Sequence, residues 1–470
     1  MTADADEARE FARSFRSFLD WVYQDAHQAS RHEVVTLLRD HLRGDAGSSV
    51  VTRDLPTFEQ VNLQVAVDAW SAEPGRTVTV QGIALPPNYG GVTLHQLLHG
   101  EALPPLRLSA PDLVDLPSGP DRTTACMKNA LLLVEDARGA YVLFLRSPDR
   151  HGEQTLGVEV AGLPTETAQA VHRELADLRN RLNVYRGQIL ELAQGEMGMS
   201  LVFPVLPPTA RTDVVLPEAV LRRVERHTLD IQRHRDLLRA AGQHLKRGLL
   251  LFGPPGTGKT HTTRYVVQQM DGSTVLMLSG QSLHLIGPLT QLARDLQPAV
   301  VVLEDVDLVA EERGFGPYPG SFGPAPNPVL FTLLDAMDGA AADADIVFLL
   351  TTNRADLLEP ALAARPGRVD VAVEIARPDE EARGRLLDLY GRSANVVLTG
   401  AERAAVVRRT DGVTASFVKE LVRRAVLEAV EEVGHADEVN HGHVSRALDD
   451  LLDSSQAVTR ALLGAVEEEG

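Results

Sequence analysis

A chain of 470 residues is too long for one ordinary domain, and a hydrophobic content of 44% is ample for packed cores and excludes global disorder. A formal net charge of −19 at pH 7 speaks against broad binding of a phosphate backbone, so nucleic acid is not an expected partner. The single cysteine, Cys126, excludes an internal disulfide and any cysteine-built metal centre, and reads as a buried thiol.

The opening segment MTADADEAREF is acidic and has no basic stretch leading an apolar one. The longest apolar runs, residues 299–303 and 346–350, fall far short of the ~20 residues of a spanning helix. The expectation is a cytoplasmic protein without a membrane segment. In the first forty residues Phe11, Phe15, Phe18, Leu19 and Val22 recur at helical spacing, which predicts an amphipathic helix packed on its own domain.

From residue 50 to about 205 the pattern is mixed. Residues 78–80, 130–134 and 141–145 read as strands, with a hairpin turn over residues 136–139. A helix follows over residues 165–182, then a strand around residues 188–192. Pro204, Pro207 and Pro208 break the chain before Val214 and mark a linker. Residues 1–205 are therefore expected to form an N-terminal α+β domain. His95 and His99 lie one helical turn apart, as in a zinc-protease helix, but Gln96 stands where that chemistry needs a glutamate. Metal binding is not expected there.

From Val214 the pattern becomes strand–loop–helix units, the signature of a parallel sheet covered by helices. The apolar strand Leu249-Leu250-Leu251-Phe252 runs directly into Gly253-Pro254-Pro255-Gly256-Thr257-Gly258-Lys259-Thr260. Glycines there let backbone N–H groups turn inward around a phosphate, and the following helix presents its positive end. Lys259 is placed for the β- and γ-phosphates of ATP, and the Thr260 hydroxyl for Mg²⁺.

A second buried strand, residues 300–303, ends in Glu304-Asp305-Val306-Asp307, which puts carboxylates beside the phosphate loop. A third, residues 346–350, ends in Thr351-Thr352-Asn353-Arg354, and Asn353 is the candidate to touch the γ-phosphate or the attacking water. Twelve residues after Asn353 comes Arg365-Pro366-Gly367-Arg368. Two arginines held by a Pro-Gly turn suit projection of positive charge at a phosphoryl group, an effect worth ~10³-fold or more.

These motifs, in this order, resemble the AAA family of ATPases over about residues 213–455. Asn327 to Gly339 (NPVLFTLLDAMDG) looks like the helix and turn before that family's sensor strand, and residues 351–370 look like its second region of homology. The Glu-Asp order, the lead-in DVVLPEAVLRRVERHTLDI and RPGRVD look most like the clade of the mitochondrial chaperone that translocates the folded Rieske protein, whose membrane anchor has no counterpart here. The resemblance implies a P-loop α/β three-layer domain over residues 213–377, a helical lid over 378–455 and an acidic tail over 456–470.

The resemblance also implies a hexameric ring in which Arg365 and Arg368 reach the next subunit's ATP. Residues 412–421 (GVTASFVKEL) resemble the lid segment that approaches the nucleotide. In the family's register Glu304 takes the metal position and Asp305 the catalytic-base position, reversing the usual Asp-Glu order. The region corresponding to the pore loop, residues 279–287, reads SGQSLHLIG and carries Leu285-Ile286-Gly287 without an aromatic. The expected function is ATP-driven remodelling of protein substrates or complexes, recruited through residues 1–205. The alternative is a nucleotide-gated scaffold with slow turnover. A DNA-acting member of the family fits poorly with the acidic charge.

Overall fold

The first half of the chain is built on strands β1 (Val51–Pro56), β2 (Thr77–Ala84), β3 (Arg107–Ser109), β4 (Asp112–Gly119), β5 (Arg122–Lys128), β6 (Ala130–Asp136), β7 (Gly139–Arg146) and β8 (Thr155–Ala161). Six of them pair antiparallel in the order β1-β8-β7-β6-β2-β3, and β4 with β5 forms a separate ribbon. The two central strands are apolar over residues 130–134 of β6 and 140–145 of β7, where both faces are covered. Leu132, Val134, Tyr141 and Leu143 face a core with Trp70 and the helices Gln60–Ser71 and Thr165–Arg181. Leu131, Leu133, Val142 and Phe144 face a second core with Leu38, Leu94 and Leu97. The expected hairpin turn over residues 136–139 is present, with Gly139 at φ +112°.

The computed structural model describes residues 14–18, 33–43, 49–84, 91–99, 106–148, 155–195, 198–307, 337, 344–354, 369–435 and 437–453. Of the expected N-terminal amphipathic face only Phe15 and Phe18 fall among them. Residues 14–18 are helical, and Phe15 and Phe18 are 49% and 55% exposed. His95 and His99 sit on the short helix Leu94–His99, where Gln96 Oε1 accepts the Thr93 N–H at 3.0 Å and caps the helix. Among the described residues no group of three or more His, Cys, Asp or Glu could hold a metal.

The chain divides into two units, Met1–Tyr185 with Ala193–Phe203, and Arg186–Leu192 with Pro204–Gly470. One strand before residue 205, β9 (Ile189–Gly195), is shared between the two units, its residues 189–192 falling in the second. Its residues Ile189, Leu190 and Glu191 pair in parallel with Val275, Leu276 and Met277. Leu190 and Leu192 are 0% and 2% exposed. The Arg186 guanidinium donates to the Gln297 and Asp295 carbonyls, and the Gly187 N–H donates to Thr274 Oγ1, which fixes the entry of the strand.

With β10 (Gly198–Val202), β11 (Arg247–Phe252), β12 (Thr274–Ser279), β13 (Ala299–Glu304), β14 (Ile346–Thr352) and β15 (Val371–Glu374), the sheet runs β10-β9-β12-β13-β14-β11-β15. All pairs from β9 to β15 are parallel. Helices Glu218–His227 and Lys259–Gln268 bury Leu221, Val224, Tyr265 and Val266 against Leu249, Leu251, Val300 and Val302, while helix Ile286–Asp295 packs beside β12 and β13. Four further helices, Glu380–Ser393, Gly400–Arg409, Ala415–Val433 and His441–Leu452, enclose a core around Phe417, Leu421 and Leu448. Asp379, Thr399, Thr414 and Asn440 cap their first turns through side-chain oxygens. Among the described residues no helix is long and apolar enough to cross a membrane.

Candidate nucleotide site

Strand β11 lies between β14 and β15, and its carboxyl end delivers the glycine-rich loop to the edge where parallel sheets bind ligands. Gly253 and Gly256 have φ +143° and +76°. A β-carbon on Gly253 would lie 2.3 Å from the Ile375 carbonyl oxygen, so only glycine lets the loop turn there. The Lys259 ammonium, 6% exposed as a residue, donates to the carbonyls of Gly253 at 2.8 Å and Pro254 at 2.9 Å. Burial lowers its pKa, and the charges of Asp305 and Asp307 oppose that shift. Thr257 Oγ1 donates to the Pro254 carbonyl at 2.9 Å and braces the loop.

Glu304 is the last residue of β13, paired with Ser279 of β12. Burial raises its carboxyl pKa, the neighbouring Asp305 adds to the rise, and a hydrogen bond from Thr260 opposes it. Its Oε1 is buried with no hydrogen-bond partner among the described residues. An orphaned carboxylate oxygen beside a threonine hydroxyl is the donor chemistry of a hard cation such as Mg²⁺, which takes few protein ligands and completes its shell with phosphate and water. Thr260 and Glu304 therefore fit that ion.

Asp305 follows at φ +51°, in the left-handed region, and turns the chain off the sheet. Its N–H donates to Thr351 Oγ1 at 3.1 Å, and the Val306 N–H donates to the Thr351 carbonyl at 3.0 Å. At the end of β14, the Asn353 N–H and side-chain amide donate to the two carboxylate oxygens of Asp307 at 3.0 and 3.4 Å. The structure thus brings together Lys259, Thr260, Glu304, Asp305 and Asn353. Arg365 and Arg368 lie outside the described residues, as does most of the segment from Asn327 to Gly339.

The helix Ala415–Val433 begins on the loop itself. The Ser416 N–H donates to the Gly256 carbonyl at 3.0 Å, and a β-carbon on Gly256 would lie 2.9 Å from Ser416 Oγ. The segment compared with a lid from sequence is thus in contact with the phosphate loop. Beside it, Asp213, His261, Tyr390, Ser393, Lys419 and Val422 line a cleft of about 440 Å³. His261 Nε2 lies 3.2 Å from the Asp213 carbonyl. These side chains escaped the sequence reading because no local motif joins the linker, the loop helix and the lid. In the segment compared with a pore loop, Leu285 and Ile286 are 7% and 1% exposed, so they pack into the fold instead of forming an open grip.

A glycine loop, a buried lysine, strand-end acids and a polar strand end on one parallel sheet define a P-loop NTPase fold. Residues 249–377 match the family described as "ATPase family associated with various cellular activities (AAA)", and the unit that contains them carries an AAA ATPase domain. The chain is 31% identical over 208 residues to 26S proteasome regulatory subunit 8 of Caenorhabditis elegans, covering 43% of this chain and 49% of that protein. It is 29% identical over 285 residues to the ATP-dependent zinc metalloprotease FtsH 2 of Symbiobacterium thermophilum, covering 58% and 46%. The chain thus spans about half the length of the curated relatives it matches. A crystallised FIGL-1 AAA domain in complex with ADP aligns over 55% of this chain and 93% of its own, at 21% identity and a TM-score of 0.43.

Proposed function

We propose that the chain hydrolyses ATP with Mg²⁺ as a ring oligomer, a hexamer, and uses the cycle to remodel protein substrates or complexes. The observation that carries it is the unpartnered Glu304 oxygen beside Thr260, at the mouth of a loop whose lysine is already held by the loop. Mg²⁺ held there would neutralise charge on the phosphates. Lys259 would leave the Gly253 and Pro254 carbonyls for phosphate oxygens, Asp305 would take the proton of the attacking water, and Asn353 would align that water. The cleft between Asp213, His261 and Tyr390 would take the nucleotide base, with the loop at its phosphate end.

In this reading residues 1–205, less the segment 186–192, recruit a protein substrate or adaptor. Residues 213–377 are the ATPase core, 378–455 the lid and 456–470 an acidic tail, in a cytoplasmic protein. Arg365 and Arg368 would serve a neighbour's ATP. The Glu304-Asp305 order and the RPGRVD segment support the finer placement beside the clade of the Rieske-protein translocating chaperone.

Phosphate release by the purified protein tests the reading. Turnover that Lys259→Ala abolishes supports it, and ATP binding with no release above background overturns it in favour of a nucleotide-gated scaffold. That second reading draws on Asp305, whose shorter side chain and left-handed backbone place a base differently from a glutamate in a strand.

A further inference from the structure

The acidic run holds a third carboxylate, Asp307, which is 5% exposed. Its Oδ1 accepts from the Thr352 hydroxyl and the Asn353 N–H, each at 3.0 Å, and its Oδ2 accepts from Asn353 Nδ2 at 3.4 Å. Every one of these donors sits at the carboxyl end of β14. An ionised carboxylate only accepts, whereas an asparagine amide is an acceptor on one side and a donor on the other. An amide without a charged neighbour can exchange those sides by turning over. Facing Asp307 it has one orientation, with Nδ2 toward the carboxylate and Oδ1 turned away from it.

The lacing between the two strand ends runs further. Thr351 takes the Asp305 N–H on its hydroxyl and the Val306 N–H on its carbonyl, and Asp307 then takes donors back from Thr352 and Asn353. Asp305 has left the sheet at φ +51°, and Asn353 follows the last residue of β14. No strand ladder holds either residue, so their relative position depends on this exchange of hydrogen bonds.

We propose that Asp307 is a positioning residue for ATP turnover: it fixes the orientation of the Asn353 amide and its distance from Asp305, so that Oδ1 is the group offered to the attacking water. This rests on the reading of Asn353 given above. Asp307 also opposes the fall in the Lys259 pKa, so a substitution there has a second route to the site that must be separated from the first.

A double-mutant cycle separates them. Turnover, affinity for a fluorescent ATP analogue and melting temperature are measured for Asp307→Asn, Asn353→Ala and the double variant. Asp307→Asn keeps the side-chain shape but offers an amide to an amide, so the orientation of Asn353 is no longer unique. The expected result is a kcat loss of about tenfold or more with nucleotide affinity within about threefold, and a loss below about twofold when Asn353 is already alanine. Equal losses in both backgrounds would mean that Asp307 acts through Lys259 or the fold, and would overturn the proposal. Lost nucleotide binding in Asp307→Asn would overturn it too.

Wild-type turnover in Asn353→Ala would instead overturn the reading of Asn353, and this proposal with it, while leaving ATP hydrolysis itself, tested through Lys259, standing. Should the melting curve show Asp307→Asn unfolded, Asp307→Glu goes through the same cycle and is judged by the same non-additivity.

Discussion

Glu304 and Asp305 are adjacent carboxylates in opposite settings. Glu304 ends a strand, with one oxygen buried beside the Thr260 hydroxyl and unpartnered, whereas Asp305 turns away from the sheet at φ +51°. Paired acids in unlike environments take unlike roles, and the two roles separate by experiment. Glu304→Gln is expected to raise the Mg²⁺ needed for half-maximal turnover by about tenfold or more, because an amide oxygen lacks the charge that favours a divalent ion. Nucleotide binding measured in chelator is expected to stay unchanged. Asp305→Asn is expected to leave the Mg²⁺ requirement of nucleotide binding alone and to lower turnover by about 10²-fold or more. A Mg²⁺ titration followed by both nucleotide fluorescence and phosphate release checks this, and exchanged phenotypes would reverse the assignment. Lys259, Thr260 and this acid pair were legible in sequence because each sits next to its strand. The partner role of Asp307 was not, since what it holds lies 46 residues away and no local pattern marks the pair.

At the scale of elements, the strand over residues 189–192 shows how far local pattern reaches. Its apolar run announced a strand, and so did those of β6 and β7, but nothing in the run says which sheet it joins. Register is a tertiary matter, settled here by the pairing of Ile189, Leu190 and Glu191 with β12. A chain begun at residue 205 would lose that strand and leave β12 with unpaired backbone groups and uncovered apolar surface. Burying a leucine is worth about 1.5–3 kcal/mol. The ATPase unit begun at 205 is therefore expected to melt several degrees lower, and to aggregate more readily, than one begun at 186. Equal melting temperatures by calorimetry would show that β9 adds nothing. The same limit applies to Leu285 and Ile286, whose segment corresponds to a pore loop and whose sequence fits an aliphatic grip or plain packing equally, and the structure buries both. An aliphatic pair reads alike in both settings, and only its neighbours distinguish them.

At the scale of the whole molecule the question is whether one chain is sufficient for turnover. The described residues supply a loop, a lysine, a candidate metal carboxylate, a candidate base and a candidate aligning amide. The resemblance to AAA ATPases implies that the expected donors of further positive charge, Arg365 and Arg368, serve a neighbouring subunit. Mixed assemblies separate that arrangement from one within a single chain. A Lys259→Ala subunit cannot turn over its own ATP yet still carries its arginines, whereas an Arg365→Ala subunit keeps its loop but supplies a neighbour with one arginine fewer. If the arginine acts across subunits of a ring, co-assembly repairs each junction where an Arg365→Ala loop meets a Lys259→Ala neighbour. At equal random mixing about a quarter of junctions meet that condition whatever the size of the ring. Phosphate release is therefore expected to rise from background for either variant alone to a maximum near equal proportions. An arginine serving its own chain leaves every mixture at background, because no subunit then holds both an intact loop and an intact Arg365.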